Sequence, residues 1–189
     1  MSTVTHVATT SRAYCTKQQT KQLSALFFGR LPSCDTVLMA PLKAVLIGGT
    51  GETGRILVRY LAKSESFGRI TLISRSSKDK NFFRLEDSQF SKIRQVECGD
   101  FAELASQKSA IEDNDVAFST MGTTTGKSDA EQYRRIEMYA ANFAGLCKES
   151  GVRGFYFISS AGANSSSMFG YLKLKGEVEN AIKDAGVPH

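Results

Sequence analysis

From residue 43 onward, two kinds of apolar pattern alternate along the chain. Residues 43–48 (Lys-Ala-Val-Leu-Ile-Gly) form an apolar run that ends in glycine, the pattern of a strand buried on both faces. Residues 52–63 then place Ile56, Leu57, Tyr60 and Leu61 on one side of a helix. The same alternation predicts strands over 69–74, 93–98, 115–119 and 154–159, and helices over 101–109, 130–150 and 168–185. Strands and helices at this spacing predict an α/β chain with a doubly wound parallel sheet, because right-handed crossovers keep neighbouring strands parallel. Such sheets usually carry about six strands. Here Gly186-Val-Pro-His189 stands where a sixth would begin. The expectation is a sheet lacking its C-terminal strand, with an edge and part of the core exposed.

Residues 1–42 follow neither pattern. They are rich in Ser and Thr, and Arg12, Lys17, Lys21 and Arg30 face a single acid, Asp35. Lys17, Lys21, Leu23, Leu26, Phe27 and Arg30 would put basic and apolar faces on one weak helix. This composition fits a mitochondrial transit peptide. The alternatives are a disordered tail on a cytoplasmic protein, or sequence upstream of a start at Met39. The expected organisation is a basic leader over 1–42 and one domain over 43–189, incomplete at its C-terminus.

Composition narrows the chemistry. Hydrophobic residues make up 41% of the 189, enough for an ordinary core and too many for a disordered chain. The net charge of +5 is not gathered into a basic run, and no nucleic-acid motif accompanies it, so nucleic acid is not an expected partner. The four cysteines, Cys15, Cys34, Cys98 and Cys147, form no Cys-x-x-Cys pair and read as free thiols. His6 and His189 are the only histidines, which argues against a histidine metal site and a Ser-His-Asp triad. No apolar run is long enough to span a bilayer.

The strongest local motif is Gly48-Gly-Thr-Gly-Glu-Thr-Gly54. It reads as Gly-x-x-Gly-x-x-Gly or, from Gly49, as Gly-x-Gly-x-x-Gly. Either way it leaves a strand and opens a helix, the context of a dinucleotide-binding Rossmann fold. The first glycine permits the tight turn, Gly51 lets the backbone approach a pyrophosphate, and Gly54 lets the helix pack on the strand. The helix N-terminus offers N–H groups and partial positive charge to the phosphates. After the second strand comes Ser74-Arg75-Ser76-Ser77, with no acid before Asp79. A ribose 2′-hydroxyl calls for an acid at this place, whereas Arg75 suits a 2′-phosphate, so the expected cofactor is NADP(H). Ligands bind beyond the carboxyl ends of the strands. That rule puts Asp100 near the adenine and Met121 and Gly122 beside the nicotinamide. Gly126-Lys127-Ser128 resembles the end of a phosphate loop, but Met121 stands where its first glycine is required.

A second signal is Tyr171-Leu-Lys-Leu-Lys175. Tyr171 and Lys175, four apart, share a helix face. An ammonium beside a phenol favours the phenolate, which suits Tyr171 to exchange a proton with a substrate oxygen. Ser159 or Ser160, at the end of the fifth strand, would hold a carbonyl beside it.

Together these residues resemble the short-chain dehydrogenase/reductase superfamily. The chain is most similar to its atypical branch of Tat-interactive oxidoreductase-like proteins and their fungal mitochondrial relatives. The matching stretches are Ile47-Gly-Gly-Thr-Gly-Glu-Thr-Gly-Arg55, Gly122-Thr-Thr-Thr-Gly-Lys127, Ser159-Ser160 and Tyr171-Leu-Lys-Leu-Lys-Gly-Glu-Val-Glu179. The resemblance implies that Thr50, Gly51, Glu52 and Thr53 line the pyrophosphate. Arg75 and Ser76 would meet the 2′-phosphate. Tyr171 and Lys175 would be the catalytic pair, with Lys175 also holding the nicotinamide ribose. Asn142 would be the superfamily's water-positioning asparagine. The family continues into a further strand and a substrate-binding region that this sequence lacks. The implied function is NADPH-dependent reduction of a small carbonyl compound. The alternative is a non-catalytic NADPH-binding regulatory protein that docks a protein partner.

Overall fold

The computed structural model describes residues 40–122 and 130–188. The readings of the leader and of Gly126-Lys127-Ser128 fall outside those residues. Five strands form on the apolar runs: β1 (Leu42–Ile47), β2 (Phe67–Ser74), β3 (Ile93–Glu97), β4 (Val116–Ser119) and β5 (Gly154–Phe157). All pair in parallel, in the order β3-β2-β1-β4-β5. The order reverses between β1 and β4, and a crevice opens at the carboxyl ends of those two strands.

Both faces of the sheet are covered, which explains the uninterrupted apolar run in β1. Leu46 packs with Val58 and Leu61 of α1 (Glu52–Lys63) and with Leu72 and Phe83. Val45 and Ile47 point the other way. They join Phe143 of α5 (Ala130–Glu149) and Val178 of α6 (Gly170–Asp184). Helices α5 and α6 lie side by side, and Arg134 pairs with Glu177 across them at 2.6 Å. No helix among the described residues is long and apolar enough to cross a membrane.

Some elements depart from expectation. Two short helices, α2 (Lys80–Phe83) and α3 (Asp87–Phe90), occupy a stretch with no predicted structure. Local caps start both. The Phe82 amide donates to Asp79 Oδ1 at 2.8 Å, and the Glu86 amide donates to Gln89 Oε1 at 3.2 Å. The helix predicted over 101–109 is instead a 3₁₀ segment, Phe101–Gln107, running into α4 (Lys108–Ile111). Its buried anchors Phe101 and Leu104 are three apart, the spacing of a 3₁₀ turn. Helix α6 begins after Phe169, whose backbone is extended, two residues later than predicted. The expected bare edge at β5 is partly closed. Beyond α6 the chain turns at Gly186 (φ 68°) and buries Val187, and the Phe155 amide donates to the Pro188 carbonyl at 2.8 Å.

Candidate functional site

The loop after β1 closes through a hydrogen bond from the Gly51 amide to the Gly48 carbonyl, 3.0 Å. Gly48 adopts φ +80°, and a Cβ there would stand 2.7 Å from the Thr120 carbonyl carbon. A Cβ on Gly54 would stand 2.2 Å from the Gly48 carbonyl oxygen and 2.6 Å from Gly49 Cα. Only glycine lets α1 start this close to β1 and to the end of β4. Gly51 is the N-cap of α1 and offers no side chain to its first amides, and Glu52 and Thr53 are exposed there. Thr50 lies in the loop, half-buried. This bare helix N-terminus suits a pyrophosphate.

Arg75 and Ser76 are exposed directly after β2. Their loop is pinned to β3: the Ser77 amide donates to Glu97 Oε1 at 2.9 Å, and the Lys78 amide to Gln95 Oε1 at 2.7 Å. The Ser77 amide holds the Glu97 carboxyl below its usual range. Sequence reasoning missed these two β3 side chains, whose strand register puts Glu97 beside Ser74.

Asp100 lies beyond β3, as its position in the sequence implies, but its Oδ1 is already engaged. It accepts from the Ala102 amide at 2.9 Å and from the Tyr139 hydroxyl at 3.1 Å. Those two bonds hold its carboxyl below the usual range. Asp100 is thus the cap of the 3₁₀ segment, whatever it offers to a ligand.

At the end of β4, Thr120 donates to the Ile47 carbonyl, and Met121 and Gly122 follow at the crevice. Beneath Gly122 is a buried ion pair. Lys175 Nζ lies 2.7 Å from Glu137 Oε2, and the two side chains are 6% and 0% exposed. A Cβ on Gly122 would stand 3.4 Å from Glu137 Oε1 and 3.8 Å from Lys175 Nζ. The ammonium also sits 5.0 Å from the centre of the Phe157 ring at the end of β5. Tyr171 is in the first turn of α6 and remains 39% exposed. The structure thus brings Lys175 to Gly122, with Tyr171 one helical turn before it.

Two residues in this region escaped the sequence reading. Glu137 is one. The other is Tyr133, whose hydroxyl is buried and finds no hydrogen-bond partner among the described residues. Burial, and then the Glu137 carboxylate and Tyr171, push the Tyr133 phenol up to about 12, so it stays protonated. A fully buried acid and an aromatic on an apolar helix face give no local sequence signal that they meet a lysine far along the chain.

The two serines separate. The Ser159 hydroxyl donates to the Glu179 carboxylate on α6. The Ser160 carbonyl accepts from the Ala163 amide at 3.0 Å, closing a turn in the loop before α6. That loop is pressed onto α6 at Gly176, where a Cβ would stand 2.2 Å from the Ser165 amide nitrogen. Asn142 is exposed on α5. It lies five residues past Glu137, about 140° round the helix from the ion pair. The structure does not bring Asn142 to Lys175.

A sequence profile described as NAD(P)H-binding matches residues 48–189. Protein HTATIP2 of Rattus norvegicus is 34% identical over 140 residues, covering 74% of this chain and 55% of that protein. The protein named "Protein FMP52, mitochondrial" of Candida albicans is 32% identical over 151 residues, covering 78% of this chain and 63% of that protein. The chain therefore spans somewhat more than half the length of these curated relatives. A solved UDP-N-acetylglucosamine 4-epimerase from Methanobrevibacter ruminantium M1 superposes with a TM-score of 0.60 at 18% identity. It covers 79% of this chain and 53% of its own. That likeness is one of fold, the parallel Rossmann sheet with helices on both faces. The profile begins at the glycine of the β1 turn and runs through β5 and α6, so the chain belongs to the NAD(P)H-binding family, as a homologue of HTATIP2 and the fungal FMP52 proteins.

Proposed function

We propose that the protein binds NADPH and reduces a small carbonyl compound. The observation that carries this reading is Lys175, held buried under Gly122 at the carboxyl end of β4, one helical turn after Tyr171. The cradle fits a dinucleotide. The absent side chains at Gly48 and Gly54 bring the helix onto the strand, and Gly51 leaves the first amides of α1 uncapped. The exposed Arg75 and Ser76, on a loop already pinned to β3, favour a 2′-phosphate over a bare ribose. When bound, NADPH supplies a hydride to the carbonyl carbon.

The chain's own residues then handle the oxygen. Ser160 orients it, Tyr171 donates a proton to it as charge develops, and Lys175 favours the phenolate left behind. The Ser-Tyr-Lys set thus acts as a general acid with an orienting hydroxyl. The mitochondrial names of the fungal homologues and the basic composition of residues 1–42 support a mitochondrial location.

The test is twofold. NADPH should raise the melting temperature of the chain more than NADH does. With a panel of aldehydes and quinones, NADPH oxidation should be measurable and should fall about a hundredfold or more in Tyr171→Phe. Tight NADPH binding with no turnover on any carbonyl would overturn the reductase reading in favour of a binding protein. No rise with either nucleotide would overturn both.

A further inference from the structure

We infer that Glu137 is the positioning residue that fixes Lys175 for the nicotinamide ribose. The inference rests on the nucleotide-binding reading above and extends it to a residue outside the Ser-Tyr-Lys set.

The first ground is geometry. A lysine ammonium is a point charge on a flexible four-carbon stem, so its place must be set by what surrounds it. Here the Glu137 carboxylate holds it at 2.7 Å, and the Phe157 ring lies 5.0 Å away. The same carboxylate reaches the crevice, since its Oε1 lies 3.4 Å from where a Cβ on Gly122 would be. Glycine at 122 leaves that space open beside the ammonium. A larger residue would fill the side from which a ribose approaches.

The second ground is energetic. A buried ion pair is a poor way to stabilise a core, because two apolar side chains of similar volume serve as well or better. Packing therefore does not account for an acid in the buried middle of α5. Function at the cationic end does.

The third ground is the neighbourhood. Lys175 faces the acid Glu137 from α5, the uncharged Phe157 ring from β5 and Gly122 from the end of β4. Tyr133, one turn before Glu137 on α5, keeps its proton. The Arg134–Glu177 pair bridges the same two helices but lies on their exposed side. Asn142 points to solvent. Glu137 is thus the α5 side chain that meets the lysine.

The experiment compares two ligands by titration calorimetry on the 189-residue chain. NADPH carries the nicotinamide ribose, whereas adenosine 2′,5′-bisphosphate carries only the other half. Glu137→Gln is expected to weaken NADPH about tenfold, the worth of one hydrogen bond to a charged group, and to leave the bisphosphate unchanged. In a Lys175→Met background, Glu137→Gln is expected to add nothing, because the acid acts through the lysine. Should the single variants fold poorly, Glu137→Leu with Lys175→Met keeps the volume and removes both charges. It should bind the bisphosphate like wild type and NADPH about tenfold or more weakly than wild type. Equal weakening of both ligands, no weakening of NADPH, or a full effect in the Lys175→Met background would overturn the inference and leave the nucleotide reading standing. A wild-type chain that binds neither ligand would overturn the nucleotide reading itself and the inference with it.

Discussion

Replacing Lys175 by methionine should destabilise the chain markedly, because it breaks a buried ion pair from one side. The substitution keeps the apolar stem but leaves the Glu137 carboxylate, fully buried, without the cation now 2.7 Å away. At an effective dielectric of about 20, charges at that distance attract by roughly 6 kcal/mol before desolvation is counted. Taking both charges out of water offsets much of this attraction, and removing one partner of such a buried pair costs about 3–5 kcal/mol.

Urea unfolding of wild type and variant at about pH 7 measures the loss. A loss below about 1 kcal/mol would show that the buried carboxylate does not depend on this lysine. Adding Glu137→Leu to Lys175→Met should recover most of the loss, since both charges are then gone.

Three other outcomes follow from the same geometry. In Gly54→Ala the new Cβ falls 2.2 Å from the Gly48 carbonyl oxygen, so α1 must lift off the strand. The expected loss is about 1–3 kcal/mol in urea unfolding, and NADPH should no longer raise the melting temperature; unchanged stability would refute the close approach. Tyr139→Phe removes one of the two bonds that hold the Asp100 carboxyl low. Its titration by NMR should move upward. Because a lowered carboxyl lends stability above its unfolded value and loses it as pH falls, the deficit of the variant should be present at neutral pH and vanish in acid. Arg75→Ala should weaken NADPH roughly ten- to a hundredfold and leave NADH unaffected; equal effects on both would remove the 2′-phosphate from Arg75.

What the sequence disclosed is what local pattern encodes. β1 is buried on both faces, so its run is wholly apolar, and the glycine turn follows at once; strand, turn and helix read directly. Helices α2 and α3 escaped notice because each is a single capped turn, too short for a hydrophobic period to register. Their signals are Asp79 three residues before Phe82 and Glu86 three before Gln89, with acids in the place where a capping box usually shows Ser or Thr. The 3₁₀ form of Phe101–Gln107 lay in a three-residue spacing of anchors that helical periodicity absorbed without distinction. The site was legible in its parts and not in its joints. Tyr171 and Lys175 share a turn, so their relation is written locally. The lysine's acid sits on another helix, and only the packing of α5 against α6 reveals it. The Glu179 carboxylate that takes the Ser159 hydroxyl likewise lies 20 residues along the chain, beyond any local pattern.

The segment beyond α6 bears on how the rim of β5 can be paired. At β5 the Phe155 amide is taken by the carbonyl of Pro188, a residue that has no N–H to give in return. In an extended chain a residue's N–H and C=O point to the same side, so the missing donor of Pro188 faces β5 and not outward. Position 188 can accept a bond from β5 and can never return one, so any longer ladder there must take its donors from other residues.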